Sequence, residues 1–250
     1  MGRVVLENNN NLKECAIVVP THKSVFSADE KICIEVTFKN LKNRDIFFVT
    51  PDSVNLSEYL RKYNANQIFF PNDRFESFKN YNDWMLTTEL YERFLPYEYI
   101  LICQTDAIVI RDDLSYWASR QLDYIGAPWP RKVIFQPNFS NKPHLKGARF
   151  ELEVGNGGLS LRNVKNTISV LKRYDQIISE YDGAFEDVMF GLLGLIDKEY
   201  RIATLADAAA FSLEVSAREI INITGNHPMG FHKLYEYDRE FWEEVLSNYR

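Results

Sequence analysis

Residues 97–114 read YEYILICQTDAIVIRDDL, and their pattern sets the kind of fold. Tyr99 to Cys103 is an unbroken apolar run, which suits a strand buried on both faces, where no polar alternation is needed. Gln104, Thr105 and Asp106 interrupt it with three polar side chains, and Ala107 to Ile110 resume the apolar pattern. A buried strand that runs out into a polar tripeptide fits an open α/β sheet, in which ligands bind beyond the carboxyl ends of the strands. Asp106 is therefore either a turn cap or a ligand-binding carboxylate.

Upstream, three short β-branched or aromatic runs have the same character: Cys15–Pro20 (CAIVVP), Asp45–Thr50 (DIFFVT) and Gln67–Phe70 (QIFF). Between the first two, Ser27-Ala-Asp-Glu30 has the spacing of a capping box, and Ile32, Cys33, Val36 and Leu41 form a helical stripe. Short buried strands separated by helical stretches predict βαβ units and a mainly parallel sheet flanked by helices, in one domain over residues 1–250. Pro20, Thr21 and His22 end the first strand and Asp52 follows the second, so all four belong to the ligand edge of such a sheet or to ordinary polar loops. Tyr81–Phe94 carries apolar residues at spacings that mostly fit a helix on the sheet. Its start, with Lys79, Asn80 and Asn82, is either a solvated cap or a set of donors for an anion.

Downstream, Asp112-Asp113 reads as an N-cap for a helix around Ser115 to Arg120. Trp129, set between two prolines, is either a sugar-stacking surface or core. Arg131 to Arg149 shows little periodicity and holds Arg131, Lys132, Lys142, Lys146 and Arg149 with no acidic residue, which predicts a long polar loop, either a lid or a solvated segment. VGNGGLSLR (154–162) places Gly155, Gly157 and Gly158 ahead of a strand, where a backbone can approach a neighbour closely. It is not a dinucleotide-binding glycine fingerprint, because no helix start follows at the required offset. Glu186-Asp187 opens a strongly apolar helix, a place where acids ordinarily offset the helix dipole. The tail from Tyr237 to Arg250 is amphipathic through Phe241, Trp242, Val245 and Leu246, and reads as a last packed helix or as a peripheral membrane contact.

In order, YNDWML, YEYILICQTDAIVIRD, YIGAPW, VGNGGLSLR, EDVMFG and FSLE…PMGFHK resemble a family of bacterial glycosyltransferase-like proteins catalogued as a domain of unknown function. The resemblance runs from about Ile17 to about Lys233. Gln104-Thr105-Asp106 is similar to the D-x-D element of GT-A-type glycosyltransferases, with glutamine in place of the first acid. The resemblance implies a GT-A-like fold and a sugar transferred from a nucleotide-sugar donor, a UDP-sugar by preference, to a glycan or lipid-linked acceptor for surface polysaccharide. It implies Mn²⁺ or Mg²⁺ held by Asp106 and His232. The donor would be contacted by Pro20, Thr21, His22, Asp52, Asn82, Gln104, Thr105, Asp106, Gly157, Gly158 and Lys233. EDVMFG is also similar to the E-D-V-x-x-G segment of inverting enzymes, which makes Asp187 or Glu186 the base for the acceptor hydroxyl. A catalytically silent carbohydrate- or nucleotide-binding domain is the rival reading. So is a sugar-phosphate nucleotidyltransferase, although PTHKSVFS after the first strand lacks the expected glycine-rich basic loop.

Composition agrees with a globular enzyme. A chain of 250 residues with 46% hydrophobic content can bury a full core, and 14% aromatic residues leaves rings for sugar faces. The net charge of −6 argues against a nucleic-acid binder. Cys15, Cys33 and Cys103, odd in number and set in apolar surroundings, read as reduced buried thiols. The first residues lack the apolar core of a signal peptide and no run reaches bilayer-spanning length, so a cytoplasmic protein is expected.

Overall fold

The computed structural model describes residues 12–136, 147–180 and 185–249. Lys142, Lys146 and Tyr181 lie outside the described residues. The first half alternates strand and helix: β1 (Lys13–Pro20), α1 (Ala28–Asn40), β2 (Asp45–Pro51), α2 (Ser57–Tyr63) and β3 (Asn66–Phe70). A 3-10 turn over Asn72–Phe75 leads to α3 (Phe78–Met85), α4 (Glu89–Glu92) and β4 (Tyr97–Cys103). Then follow β5 (Ala107–Val109), α5 (Leu114–Ser119), β6 (Tyr124–Ile125), β7 (Pro128–Phe135), β8 (Phe150–Val154) and β9 (Leu159–Asn163). The remainder is α6 (Val164–Arg173), α7 (Asp175–Glu180), α8 (Glu186–Ile196), α9 (Leu205–Phe211), β10 (Ser212–Leu213), α10 (Ala217–Thr224), β11 (Gly230–His232), α11 (Leu234–Tyr237) and α12 (Arg239–Ser247).

Six strands form the central sheet in the order β3-β2-β1-β4-β9-β6. β3, β2, β1 and β4 are parallel, and only β9 runs against its neighbours. The expected mainly parallel sheet is thus present, and its two faces can be read from the pleat of β1. Ile17 and Val19 join one apolar core with Phe48, Leu101 and Cys103, and Ala16 and Val18 join another with Val49, Ile100 and Ile102. Helices cover both faces, which is why these strands show no polar alternation. Each fully buried aliphatic side chain contributes about 1.5–3 kcal/mol relative to exposure, so the doubly covered sheet carries much of the apolar stabilisation.

The capping box predicted at Ser27 is formed. Ser27 Oγ accepts from Glu30 N at 3.2 Å, and Glu30 Oε2 accepts from Ser27 N at 2.8 Å. Other expectations are corrected. The 81–94 helix is broken into α3 and α4, because Leu86 closes α3 with its N–H on Asn82 and Asp83 carbonyls. At the start of α5, Asp113 stands at the cap position without a side-chain bond, and Asp112 Oδ1 instead accepts from Leu114 N at 3.2 Å. Arg131 and Lys132 lie in β7, paired antiparallel with β8, and not in a long loop. Their strand partner carries the acids that the sequence window missed: Lys132 meets Glu151 and Glu153, each at 3.2 Å, and Arg149 meets Glu151 at 3.4 Å. Lys132 and Arg149 are locally neutralised.

The apolar run Ala107–Ile110 does not continue β4. β5 leaves the central sheet for a second one, ordered β10-β11-β5. That small sheet packs through Ile108, Phe231 and Leu213 on Cys33 and Val36 of α1 and on Phe241, Trp242, Val245 and Leu246 of α12. The apolar stripe of the tail helix is therefore spent on the protein's own core. No helix among the described residues is long and apolar enough to cross a membrane. All three cysteines are free and buried, and burial pushes their thiols up, that of Cys103 to about 12.

Candidate active site

The switch of sheet between β4 and β5 brings the C-terminal segment to the end of β4. β11 pairs antiparallel with β5, His232 opposite Ala107, and the Lys233 N–H donates to the Asp106 carbonyl at 3.1 Å. Gln104, Asp106, His232 and Lys233, up to 129 positions apart in the sequence, are thereby neighbours. On the other side, β9 pairs with β4, and the Gln104 N–H donates to the Gly158 carbonyl at 2.9 Å. The Gly155–Gly158 turn is delivered to the same place. A cavity of about 180 Å³ results, lined among others by Tyr81, Asn82, Gln104, Asn156, Asp187 and Lys233. A larger hollow of about 710 Å³ lies beyond α3 among Leu86, Thr87, Leu171 and Ile178. The smaller one is the candidate site, because the buried carboxylates and the histidine converge there.

His232 is the hub. Its Nε2 lies 3.2 Å from Gln104 Oε1 and 3.2 Å from Asp106 Oδ1; its Nδ1 lies 3.3 Å from Asn156 Oδ1 and 3.4 Å from Glu214 Oε1. Burial disfavours the imidazolium, but the two flanking carboxylates outweigh it and hold the pKa at about 9. Burial likewise pushes the Asp106 carboxyl up, while His232 and Lys233 more than offset it and hold it below the usual range. Asp106 Oδ1 is nonetheless buried without a hydrogen-bond partner, so the contact with Nε2 is an ion pair and not an aligned bond. An orphaned carboxylate oxygen and an amide oxygen are hard donors that fit Mn²⁺ or Mg²⁺, with ligand phosphates supplying further oxygens, and the His232 imidazolium joins them only on losing its Nε2 proton. Among the described residues, no group of three or more His, Cys, Asp or Glu is arranged as a complete metal cage. The donor set is partial.

The acid pair at the start of α8 is divided by its neighbours. Glu186 is buried and held by Arg162, whose Nη2 reaches both carboxylate oxygens at 3.0 and 3.2 Å. Arg162 is itself fully buried. It donates to Ser160 Oγ at 3.0 Å and to the Tyr91 hydroxyl at 2.8 Å, and lies over the rings of Tyr124 and Phe190. Asp187 forms no ion pair among the described residues, and Arg162 acts on it only at a distance. Burial and then the charge of Glu186 raise its pKa to about 7. Its Oδ1 accepts from Val188 N at 2.7 Å, and the carboxyl group lines the cavity. A carboxylate poised near neutrality in a cleft is suited to proton transfer.

Several expected ligand contacts have structural partners. Asn82 Oδ1 accepts from Glu186 N at 2.8 Å and its amide donates to the Phe78 carbonyl at 2.7 Å, so it caps α8 from α3. Thr105 turns from the cavity to bond Glu30 Oε1 at 2.6 Å, and Lys23 bonds the same oxygen at 2.8 Å. The capping box of α1 thus anchors the Gln-Thr-Asp turn. A side chain at Gly157 would come within 2.1 Å of Glu186 Oε1, and one at Gly158 within 2.1 Å of the His232 ring. These glycines make room for the site's own side chains. Pro20, Thr21, His22 and Asp52 stand at the carboxyl ends of β1 and β2, with Thr21 buried and His22 and Asp52 exposed. The 180 Å³ cavity does not include them. Lys233 lines the cavity in a left-handed conformation, φ 52°, and forms no ion pair among the described residues.

Trp129 is not a surface platform. Its ring fills the space where a Gly155 side chain would be, and it packs on the core beneath β7. The exposed rings at the cavity are Phe78 and Phe185, which sequence reading passed over together with Asn156, Arg162 and Glu214. Arg162 carried a usable signal: an arginine at an inward position of an apolar strand requires a buried acid.

Comparison with solved structures gives a likeness over nearly the whole chain. Mouse xyloside xylosyltransferase 1, in its apo form, superposes with a TM-score of 0.52 at 12% identity, covering 88% of this chain and 96% of that one. A glycosyltransferase involved in glycosylation of the major capsid of PBCV-1 gives 0.48 at 13% identity over 94% and 99% of the two chains. Core-mannan synthase A from Aspergillus fumigatus, with Mn and GDP, gives 0.46 at 10% identity over 73% and 70%. The first of these carries the fold assignment, which is GT-A-like. A search of curated protein sequences returns no match. Residues 64–232, more than half of the chain, match the family described as "Protein of unknown function (DUF5672)", and the chain is a member of that family.

Proposed function

We propose that the chain is a glycosyltransferase that moves a sugar from a nucleotide-sugar donor to a hydroxyl of a glycan or lipid-linked acceptor, with inversion at the anomeric carbon. The observation that carries this reading is the meeting, in one cavity at the end of β4, of the half-buried Asp187 carboxyl, near neutral pKa, with His232, which is itself paired with Asp106. Asp187 takes the acceptor proton as the acceptor oxygen bonds the anomeric carbon, and the carbon–oxygen bond to the diphosphate breaks with its electron pair leaving on the phosphate. Lys233 supplies a cation for that leaving charge. Asp106, His232 and the Gln104 carbonyl oxygen would hold a divalent ion, whose chemistry when bound is neutralisation of the diphosphate. Arg162 keeps Glu186 paired, which leaves Asp187 as the base of the two acids.

The test is a thermal-shift panel of UDP, GDP, CMP and dTDP and their sugars, each with Mn²⁺ or with chelator. A ligand at a hundred times its Kd stabilises the fold by about 2.7 kcal/mol, and at about 2–4 °C per kcal/mol the shift is read easily. One nucleotide class that stabilises with Mn²⁺ and not with chelator supports the reading. A shift that survives chelator supports transfer without metal, and no shift with any nucleotide refutes the proposal in favour of a silent binding domain.

A further inference from the structure

We propose that Phe78 and Phe185 form an acceptor platform at the mouth of the Asp187 cavity, taking the C–H face of the acceptor sugar ring so that its hydroxyl reaches the carboxylate. This rests on the glycosyl-transfer reading and extends it to the second substrate. Phe78 begins α3 and Phe185 immediately precedes α8, and both line the cavity. They are 67% and 53% exposed, and neither belongs to any of the three apolar cores. Their rings meet edge to face, with centroids 5.4 Å apart at 66°. One exposed phenylalanine is ordinary, but two converging on a polar cavity beside a half-buried carboxylate make a local apolar surface where a ligand is expected.

The occupant follows from size and position. At about 180 Å³ the cavity is below the roughly 300–1,000 Å³ that encloses a drug-sized ligand, so it admits a single ring and not a whole nucleotide sugar. Phe185 stands two residues from Asp187, the group assigned to the acceptor hydroxyl, whereas Thr21, His22 and Asp52 lie at the ends of β1 and β2 and outside the cavity lining. The polar lining by Asn156 and Glu214, which have no part in holding the donor, offers hydroxyl partners that a lipid tail would leave unmet. A flat apolar face with polar groups around it is how proteins hold pyranose rings.

The experiment uses the full chain as wild type, F78A/F185A and F78Y/F185Y. Methyl glycosides of glucose, galactose, mannose, xylose and N-acetylglucosamine are followed by saturation-transfer difference NMR with nucleotide present, and nucleotide affinity is measured separately. At least one methyl glycoside should be saturated through its ring C–H protons by wild type and by the tyrosine pair. The alanine pair should weaken its binding about tenfold with nucleotide affinity unchanged. Equal saturation by the alanine pair overturns the platform, and so does a wild type that binds nucleotide yet saturates none of the glycosides. Loss of nucleotide affinity in the alanine pair reassigns the rings to the nucleobase. A chain that binds no nucleotide refutes the transfer reading itself.

Discussion

Asp187→Asn should stabilise the folded chain at alkaline pH while abolishing sugar transfer. Burial and the Glu186 charge lift the Asp187 pKa from 3.8 to about 7 in the folded state. Between these values the folded chain keeps a proton that the unfolded chain releases, so wild-type stability falls as pH rises through this window. At about 1.36 kcal/mol per unit the upper limit is about 4 kcal/mol; the side chain is half-buried, and solvent screening brings the expectation to roughly 2 kcal/mol. Asparagine has no charge to desolvate and keeps an oxygen for the Val188 N–H, which now reaches Asp187 Oδ1 at 2.7 Å. The variant should melt about 4–8 °C above wild type at pH 8, with the gap closing toward pH 4. Transfer should fall by about 10²–10⁴, the span of general-base catalysis, with nucleotide binding retained, and wild-type transfer should rise with pH through about 7. A melting difference independent of pH would refute the reasoning, and a fully active variant would move the base elsewhere.

Arg162→Met leaves the buried Glu186 carboxylate without its cation and should cost about 3–5 kcal/mol in urea unfolding, with R162M/E186L recovering most of it. A single variant as stable as wild type would mean that Glu186 is not ionised in the fold. Asp106→Ala should abolish the Mn²⁺-dependent part of the nucleotide thermal shift and lower the melting temperature without ligand, because the buried His232 imidazolium keeps only Glu214 as a carboxylate partner; a persisting Mn²⁺ effect removes Asp106 from the ion site. Gly158→Ala drives a methyl group to within 2.1 Å of His232 and should cost about 1–3 kcal/mol by overpacking, together with the Mn²⁺ response. A variant with normal stability and Mn²⁺ response would show that the His232 ring is free to move.

The strands and the first helix were legible because their signals are local. The apolar runs within 15–20, 45–50 and 99–103 report burial on both faces of a sheet, the one at 67–70 marks the edge strand β3 with Phe69 exposed, and a serine three residues before a glutamate carries its own cap. The acid pair at the start of α8 and the polar turn after β4 were visible as interruptions of such runs. Four side chains at the cavity were not: Phe78, Phe185, Asn156 and Glu214 have ordinary sequence neighbours and become distinctive only by position.

What residues 97–114 determined by themselves is a buried strand that ends in an acidic turn. Whether Asp106 meets a histidine, and which of two adjacent acids is paired with an arginine, was decided by the tertiary structure. β5 leaves the central sheet to pair with β11, and this exchange places His232 on Asp106; Arg162, 24 residues from Glu186, comes across from β9 and neutralises one acid of the pair. The physical reason is that periodicity and caps act over a few residues, whereas desolvation and charge pairing depend on whichever groups the fold brings within a few ångströms. Glu186 and Asp187 are adjacent in sequence and differ in surroundings because, among the described residues, only Glu186 is paired with an arginine.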